Sequence, residues 1–175
     1  MKIFKTILIV ILILIALPFI IALFVKKEYT MEKEIVINRP EAEVFDYVKH
    51  IKNQSEYNVW SMADPNMKTE ERGTDGTVGF VHYWNSDEVG EGEQEITRIV
   101  EGDRIEMELR FKRPMEGKGF SFMSTEPVDA GSTKVKWGMS GESSYPWNFM
   151  NLFSEATMGS AFEDGLKNMK TNLEK

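Results

Sequence analysis

The chain opens with an unbroken apolar run and then changes period twice. From Ile7 to Val25 it reads ILIVILILIALPFIIALFV, nineteen residues without a charge. At ~1.5 Å per residue a helix of this run covers roughly 28 Å, the thickness of a bilayer's hydrocarbon core. The competing reading is a cleaved signal peptide, which has a shorter apolar core and a small-x-small cleavage site; this run instead ends Ala22-Leu23-Phe24-Val25-Lys26-Lys27. Membrane helices tolerate a proline such as Pro18. Lys2, Lys5 and the terminal amine on one side balance Lys26 and Lys27 on the other, so charge gives no orientation. Residues 1–27 are therefore expected to be a transmembrane anchor, through residues 7–25, and residues 28–175 a single folded domain.

Beyond the anchor, Glu32 to Asn38 alternates with period two, predicting a first strand. Asn38-Arg39-Pro40-Glu41 signals a helix start with Asn38 as N-cap, and Val44, Phe45 and Val48 form its apolar stripe. A second short helix is expected near Lys52 to Tyr57. Strands follow: Lys68 to Arg72 and Thr77 to Trp84 as a hairpin, Gly90 and Gly92 in the next loop, then Glu93 to Val100, Arg104 to Lys112, Gly119 to Glu126 and Thr133 to Gly141 as a meander. Ile105, Met107, Leu109 and Phe111 alternate with Glu106, Glu108 and Arg110, which predicts a sheet apolar on one face and wet on the other. After Pro146 the period becomes helical to the C-terminus: Met150, Phe153, Met158, Ala161, Phe162, Leu166, Met169 and Leu173 share a stripe that must cover the sheet. Gly159 and Gly165 on that helix predict a kink or a close approach.

Composition narrows the function. A formal charge of -7 excludes a nucleic-acid partner, because phosphate binding relies on clustered Lys and Arg. With no cysteine, disulfides, thiolate metal sites and Cys nucleophiles are excluded. His50 and His82 are the only histidines, and no HExxH, P-loop or GxSxG occurs, so neither a metal nor a cofactor is implied. The Gly90-Glu91-Gly92 segment lies between strands with acidic side chains that repel phosphate and reads as a turn. Apolar residues at 42% suffice for a core.

Strand, two short helices, an antiparallel meander and one long C-terminal helix is the order of the α+β helix-grip fold. Ile37-Asn38-Arg39-Pro40-Glu41-Ala42-Glu43-Val44-Phe45-Asp46-Tyr47-Val48, Trp60, Gly90-Glu91-Gly92-Glu93-Gln94-Glu95-Ile96 and Met158 to Lys170 resemble stretches of the START and Bet v 1-like (SRPBCC, polyketide cyclase/dehydrase-like) superfamily. The resemblance implies a sheet of about six to seven strands wrapped on the last helix around a ligand cavity. It leaves the chemistry open, because one fold hosts many functions.

The residues expected to line that cavity are Trp60, Phe80, His82, Trp84, Met107, Leu109, Phe120, Phe122, Trp137, Met139, Met158 and Phe162. Core packing is the competing account of these side chains. His82 shares a face with Phe80 and Trp84; an imidazole there can bond a ligand or move a proton, or simply bond a neighbour or water. Glu91, Glu93 and Glu95 read as a solvated face, and His50 as a helix-end residue. Tyr145, Trp147 and Phe149 either gate the cavity, touch lipid headgroups, or staple the last helix. The leading expectation is a non-catalytic binding domain for a small hydrophobic or lipid-like molecule at a membrane. The alternatives are a cyclase/dehydratase-like enzyme using His82 with a carboxylate or Tyr83, and a regulatory protein that binds a membrane partner through its surface.

Overall fold

A computed structural model describes residues 2–175; Met1, with the terminal amine, lies outside the described residues. Helix α1 (Lys2–Ala22) leads into β1 (Glu28–Ile37), α2 (Glu41–Lys49), a 3-10 segment (Ile51–Glu56) and α3 (Val59–Ala63). Then come β2 (Lys68–Arg72), β3 (Val81–Ser86), β4 (Gly90–Val100), β5 (Arg104–Arg113), β6 (Gly117–Asp129) and β7 (Ser132–Glu142). A second 3-10 segment (Trp147–Phe153), a π turn (Glu155–Gly159) and α4 (Ser160–Leu173) complete the chain.

The seven strands form one antiparallel sheet in the order β1-β7-β6-β5-β4-β3-β2, so the first strand returns to pair with the last. Together with α4 this is the helix-grip architecture. Strand β1 begins four residues earlier than its charge pattern suggests, because Tyr29 and Met31 continue the inward alternation and pair with Gly141 and Met139. The turn before β4 is Asp87 to Val89; Gly90, at φ +91°, opens the strand, and Gly92 lies within it rather than in a loop.

Register divides the concave face into two halves. At the end holding Ile37, Val100, Ile105 and Thr133, the side chains of Val44, Phe45 and Val48 from α2 pack with Ile37, Ile105, Met123 and Val135 into a closed core. That end is filled. At the other end, marked by Glu28, Ser86, Arg113, Gly117 and Glu142, the sheet is covered by Gln54 of the first 3-10 segment, α3, the π turn and α4, and a cavity remains.

Three local expectations are corrected. Pro40, not Asn38, is the N-cap residue of α2; the Asn38 N–H donates instead to Glu174 Oε1 at 2.5 Å, tying the end of β1 to the C-terminus. The C-terminal helix is broken: Met150 and Phe153 lie on the 3-10 segment and are exposed, off the stripe of Phe162, Leu166 and Met169, which are buried. Helix α1 ends at Ala22, short of Val25: the Leu23 and Phe24 N–H groups turn to the carbonyls of Ile20 and Ile21, and the Ala22 carbonyl accepts from Asn148 instead of from the next turn. At 21 residues α1 still covers about 31 Å, and of its apolar length only Ala22, at its C-terminal end, is buried. It is long and apolar enough to cross a membrane.

Candidate functional site: a two-chambered cavity

The inner chamber has a volume of about 290 Å³. Its floor is the concave sheet, where Trp84 of β3, Leu109 and Phe111 of β5, and Trp137 and Met139 of β7 point inward by alternation. Its roof is Trp60 of α3, Met158 of the π turn and Phe162 of α4. The rings interlock: Trp137 stacks on Phe162, and Trp60 meets Phe162 edge-on at 5.6 Å between centroids. Gly92 lets Trp84 lie flat on the sheet, since a Cβ there would come within 2.6 Å of the indole.

A few polar groups interrupt this apolar lining. Gln94 Nε2 donates to Gln54 Oε1 at 2.8 Å, and Trp137 Nε1 donates to Ser121 Oγ at 3.3 Å, whose own proton goes to the Gly138 carbonyl at 2.9 Å. Asn58 caps α3 by accepting from the Trp60 N–H at 3.0 Å. No Asp, Glu, Lys, Arg or Tyr lines the inner chamber among the described residues.

His82 lines this chamber opposite Gln94, its cross-strand partner on β4. Its Nδ1 is buried without a hydrogen-bond partner among the described residues; the nearest carboxylate, Glu71, stands 3.9 Å away on the edge strand. Burial depresses the imidazole below its ordinary value, and the negative charges of Glu71 and Asp75 only partly oppose this. The ring is therefore neutral near pH 7, with one donor and one acceptor nitrogen. Tyr83 points to the other face, where its hydroxyl donates to Glu91 at 2.9 Å. It provides no acid or base inside the chamber.

Of the expected lining residues, Trp60, His82, Trp84, Leu109, Trp137, Met139, Met158 and Phe162 meet around this space. The other four do not, for two reasons. Phe80 and Met107 have the right parity but lie where the core is closed, both about 1% exposed. Phe120 and Phe122 have the wrong parity. On β6 the inward positions are Ser121, Met123 and Thr125, so Phe120 is exposed and lines only the outer groove, and Phe122 covers the outer face of Gly138, with the Arg104 guanidinium 3.7 Å from its ring centroid.

Among the described residues, eight lining residues lie outside the set expected from the sequence, Gln54, Gln94, Ser121 and Phe111 among them. The alternation through Leu109 already pointed to Phe111. A polar residue in phase with Ile96 was the available signal for Gln94.

An outer groove of about 940 Å³ continues the chamber, and Val89, Phe111, Met139 and Met158 line both. Its rim is the β5–β6 turn, Tyr29, Trp147, Met150 and Asn151. The convex face is wet, as alternation required: Arg110 bonds Glu93, Glu95 and Glu108, and Glu91 takes Arg113 and Lys112. His50 sits at the end of α2, with Nδ1 donating to the Asp46 carbonyl at 2.8 Å. No cluster of metal-ligating side chains occurs among the described residues.

A model of the family described as polyketide cyclase / dehydrase and lipid transport matches residues 28–174. No curated protein sequence matches the chain. Among solved structures, norcoclaurine synthase from Thalictrum flavum, in complex with dopamine and hydroxybenzaldehyde, aligns with TM-score 0.62 at 14% identity, covering 89% of this chain and 92% of that one. A protein from Mesorhizobium loti gives TM-score 0.62 at 15% identity over 83% and 97%. The di-domain ARO/CYC BexL gives TM-score 0.62 at 16% identity, over 83% of this chain and 46% of that one. These likenesses show a shared fold.

Proposed function

Because the chain belongs to the polyketide cyclase / dehydrase and lipid transport family, we propose that it binds a small hydrophobic or lipid-like molecule, without catalysis, beside a membrane in which α1 anchors it. Residues 1–27 are the anchor and residues 28–175 the ligand domain. The observation that carries this reading is the inner chamber: aromatic and thioether walls, a few amide, hydroxyl and imidazole groups, and no charge. Such a lining rewards apolar surface and orients it through a small number of hydrogen bonds.

Size supports an elongated ligand. The inner chamber is near the lower bound of small-molecule sites, ~300 Å³, and takes one compact group. The groove beyond Met139 and Met158 takes the remainder. Norcoclaurine synthase, with dopamine and hydroxybenzaldehyde in its complex, offers a precedent for small aromatic molecules on this fold. Proton-transfer chemistry would need a partner for His82, and among the described residues the lining of the inner chamber includes no second ionisable side chain.

The test is solvent extraction of the full chain purified in lipid nanodiscs, followed by mass spectrometry, beside a Leu109→Trp variant that fills the chamber. A molecule enriched with the wild type and lost from the folded variant supports binding. Identical extracts from the two proteins would sink it.

A further inference from the structure

Helix α1 does not end on a loose tether. The last turn of a helix leaves its carbonyls without intrahelical partners; here Ile20 and Ile21 accept from the backbone that follows, and the 3-10 segment supplies donors to Ala22 and to the link beyond it. Asn148 Nδ2 donates to the Ala22 and Val25 carbonyls, both at 2.7 Å, and Asn148 is only 1% exposed. Asn151 Nδ2 donates to the Lys26 and Lys27 carbonyls at 3.0 and 2.9 Å, and Ser143 adds its N–H to Lys27 O at 2.9 Å. The Ser143 hydroxyl in turn holds Asn151 Oδ1 at 2.8 Å. The link from α1 to β1 is thus pinned along its length, and the direction of α1 relative to the sheet is set.

From this latch we infer that the segment 143–153 is a sill seated on the bilayer surface, which turns the mouth of the cavity towards the lipid. The inference rests on reading α1 as a span and the cavity as a ligand site. If α1 spans, its C-terminal end lies at the membrane–water boundary. Asn148 and Asn151, one hydrogen bond away, then lie at that depth too. The side chains beside them are apolar and uncovered: Tyr145, Trp147, Met150, Leu152 and Phe153 are 47–59% exposed. Trp and Tyr suit the headgroup layer, where a ring meets both hydrocarbon and water. Trp147 and Met150 are also rim residues of the outer groove.

Strand register makes the arrangement directional. Glu28, which follows the latch, pairs with Glu142 at the cavity end of the sheet, whereas the β6–β7 turn lies at the closed end. Strand β6 has 13 residues, so Val128 near that turn stands roughly 40 Å from the cavity end. A ligand leaving the groove between Trp147 and the β5–β6 turn enters the bilayer without crossing bulk water.

The chain has no cysteine, so single labels can be placed at will. Trp147→Cys, Leu152→Cys, Val128→Cys and Ile13→Cys, each carrying an NBD fluorophore, are reconstituted as full chains in phosphatidylcholine vesicles containing lipid spin-labelled near the headgroup. The expected result is quenching at positions 147 and 152 several-fold above that at 128, with blue-shifted emission. Quenching at 147 and 152 no greater than at 128, while Ile13→Cys is quenched by lipid labelled deep in the chain, overturns the sill. An unquenched Ile13→Cys overturns the span beneath it. A blue-shifted but unquenched label at 147 means a protein covers the patch, and also overturns the proposal. Asn148→Asp replaces two donors by acceptors facing carbonyls, and in the Leu152→Cys background it should lower quenching without changing Ile13→Cys. Depth is read without any ligand, so an empty cavity would defeat the binding reading and leave the orientation standing.

Discussion

The indole of Trp137 and the ring of Phe162 stack with centroids 4.6 Å apart and planes 24° from parallel. This contact joins β7 to α4 and forms the back wall of the inner chamber. Its precondition is Gly165, one turn along α4, where a Cβ would come within 2.8 Å of Trp137 Cζ3 and 3.3 Å of the Tyr57 carbonyl.

Gly165→Ala sets two effects against each other. Helix propensity favours alanine by ~1 kcal/mol. Overpacking against a ring and a backbone carbonyl, neither free to withdraw, costs about 1–3 kcal/mol. The clash should win, and chemical denaturation should show a net loss of stability with an altered near-UV signal from Trp137. A more stable protein would show that α4 can lift away from the sheet.

The buried amide pair predicts non-additivity. Gln54 and Gln94 are 5% and 7% exposed, and Gln54 Nε2 donates to Met107 Sδ at 4.0 Å. Gln94→Leu strands the Gln54 Oε1 without its donor, which costs roughly 1–3 kcal/mol. Replacing both by leucine removes the stranded group and should recover much of that loss. Equal and additive losses in a double-mutant cycle would mean that water already serves these groups.

Much of the fold was legible because one face of each strand is charged. On β5 the alternation of Ile105, Met107, Leu109 and Phe111 with Glu106, Glu108 and Arg110 leaves a single possible parity. On β6 it failed, since Phe120 and Phe122 interleave with Ser121 and Met123 and both faces carry apolar atoms. The choice there depends on partners far along the chain: the Trp137 indole needs Ser121 as its acceptor, and Gly138 leaves room for Phe122 outside. The Asn148 latch was illegible for the same reason. An asparagine's preference for two carbonyls more than a hundred residues away has no local pattern.

Arg110 organises the convex face, where its three nitrogens each meet a carboxylate of Glu93, Glu95 or Glu108 at 2.8 Å. The bond to Glu108 is the first cause of the guanidinium's raised pKa, and the same bond lowers that of Glu108. Arg110→Met leaves these carboxylates facing one another across β4 and β5 and should cost on the order of 1 kcal/mol at low ionic strength. Added salt screens the repulsion, so the deficit against wild type should shrink as the Debye length falls. A salt-independent deficit would assign the loss to packing of the arginine stem.

His82 predicts a pH dependence whose sign follows from burial. Its folded pKa lies below the ordinary 6.5, because desolvation disfavours the imidazolium more than Glu71 and Asp75 favour it. Between the folded pKa and 6.5 the unfolded chain therefore binds more protons at this site than the folded one, and stability rises with pH. The contribution is fully present above 6.5 and is lost as pH falls from there towards the folded pKa. Carboxylates held low on the convex face, Glu91 and Glu108 among them, add their own acid lability further down, in the carboxylate range. His82→Gln keeps a polar side chain in the chamber and removes the titration. Urea denaturation at about pH 7.5 and about pH 5.5 should then show a smaller loss for the variant than for wild type. A larger loss in the variant would mean that the folded state favours the imidazolium, with Glu71 drawn in to pair with it. The chamber would then present a cation to its ligand rather than a neutral ring, and an acidic apolar molecule would replace a neutral one as the expected occupant.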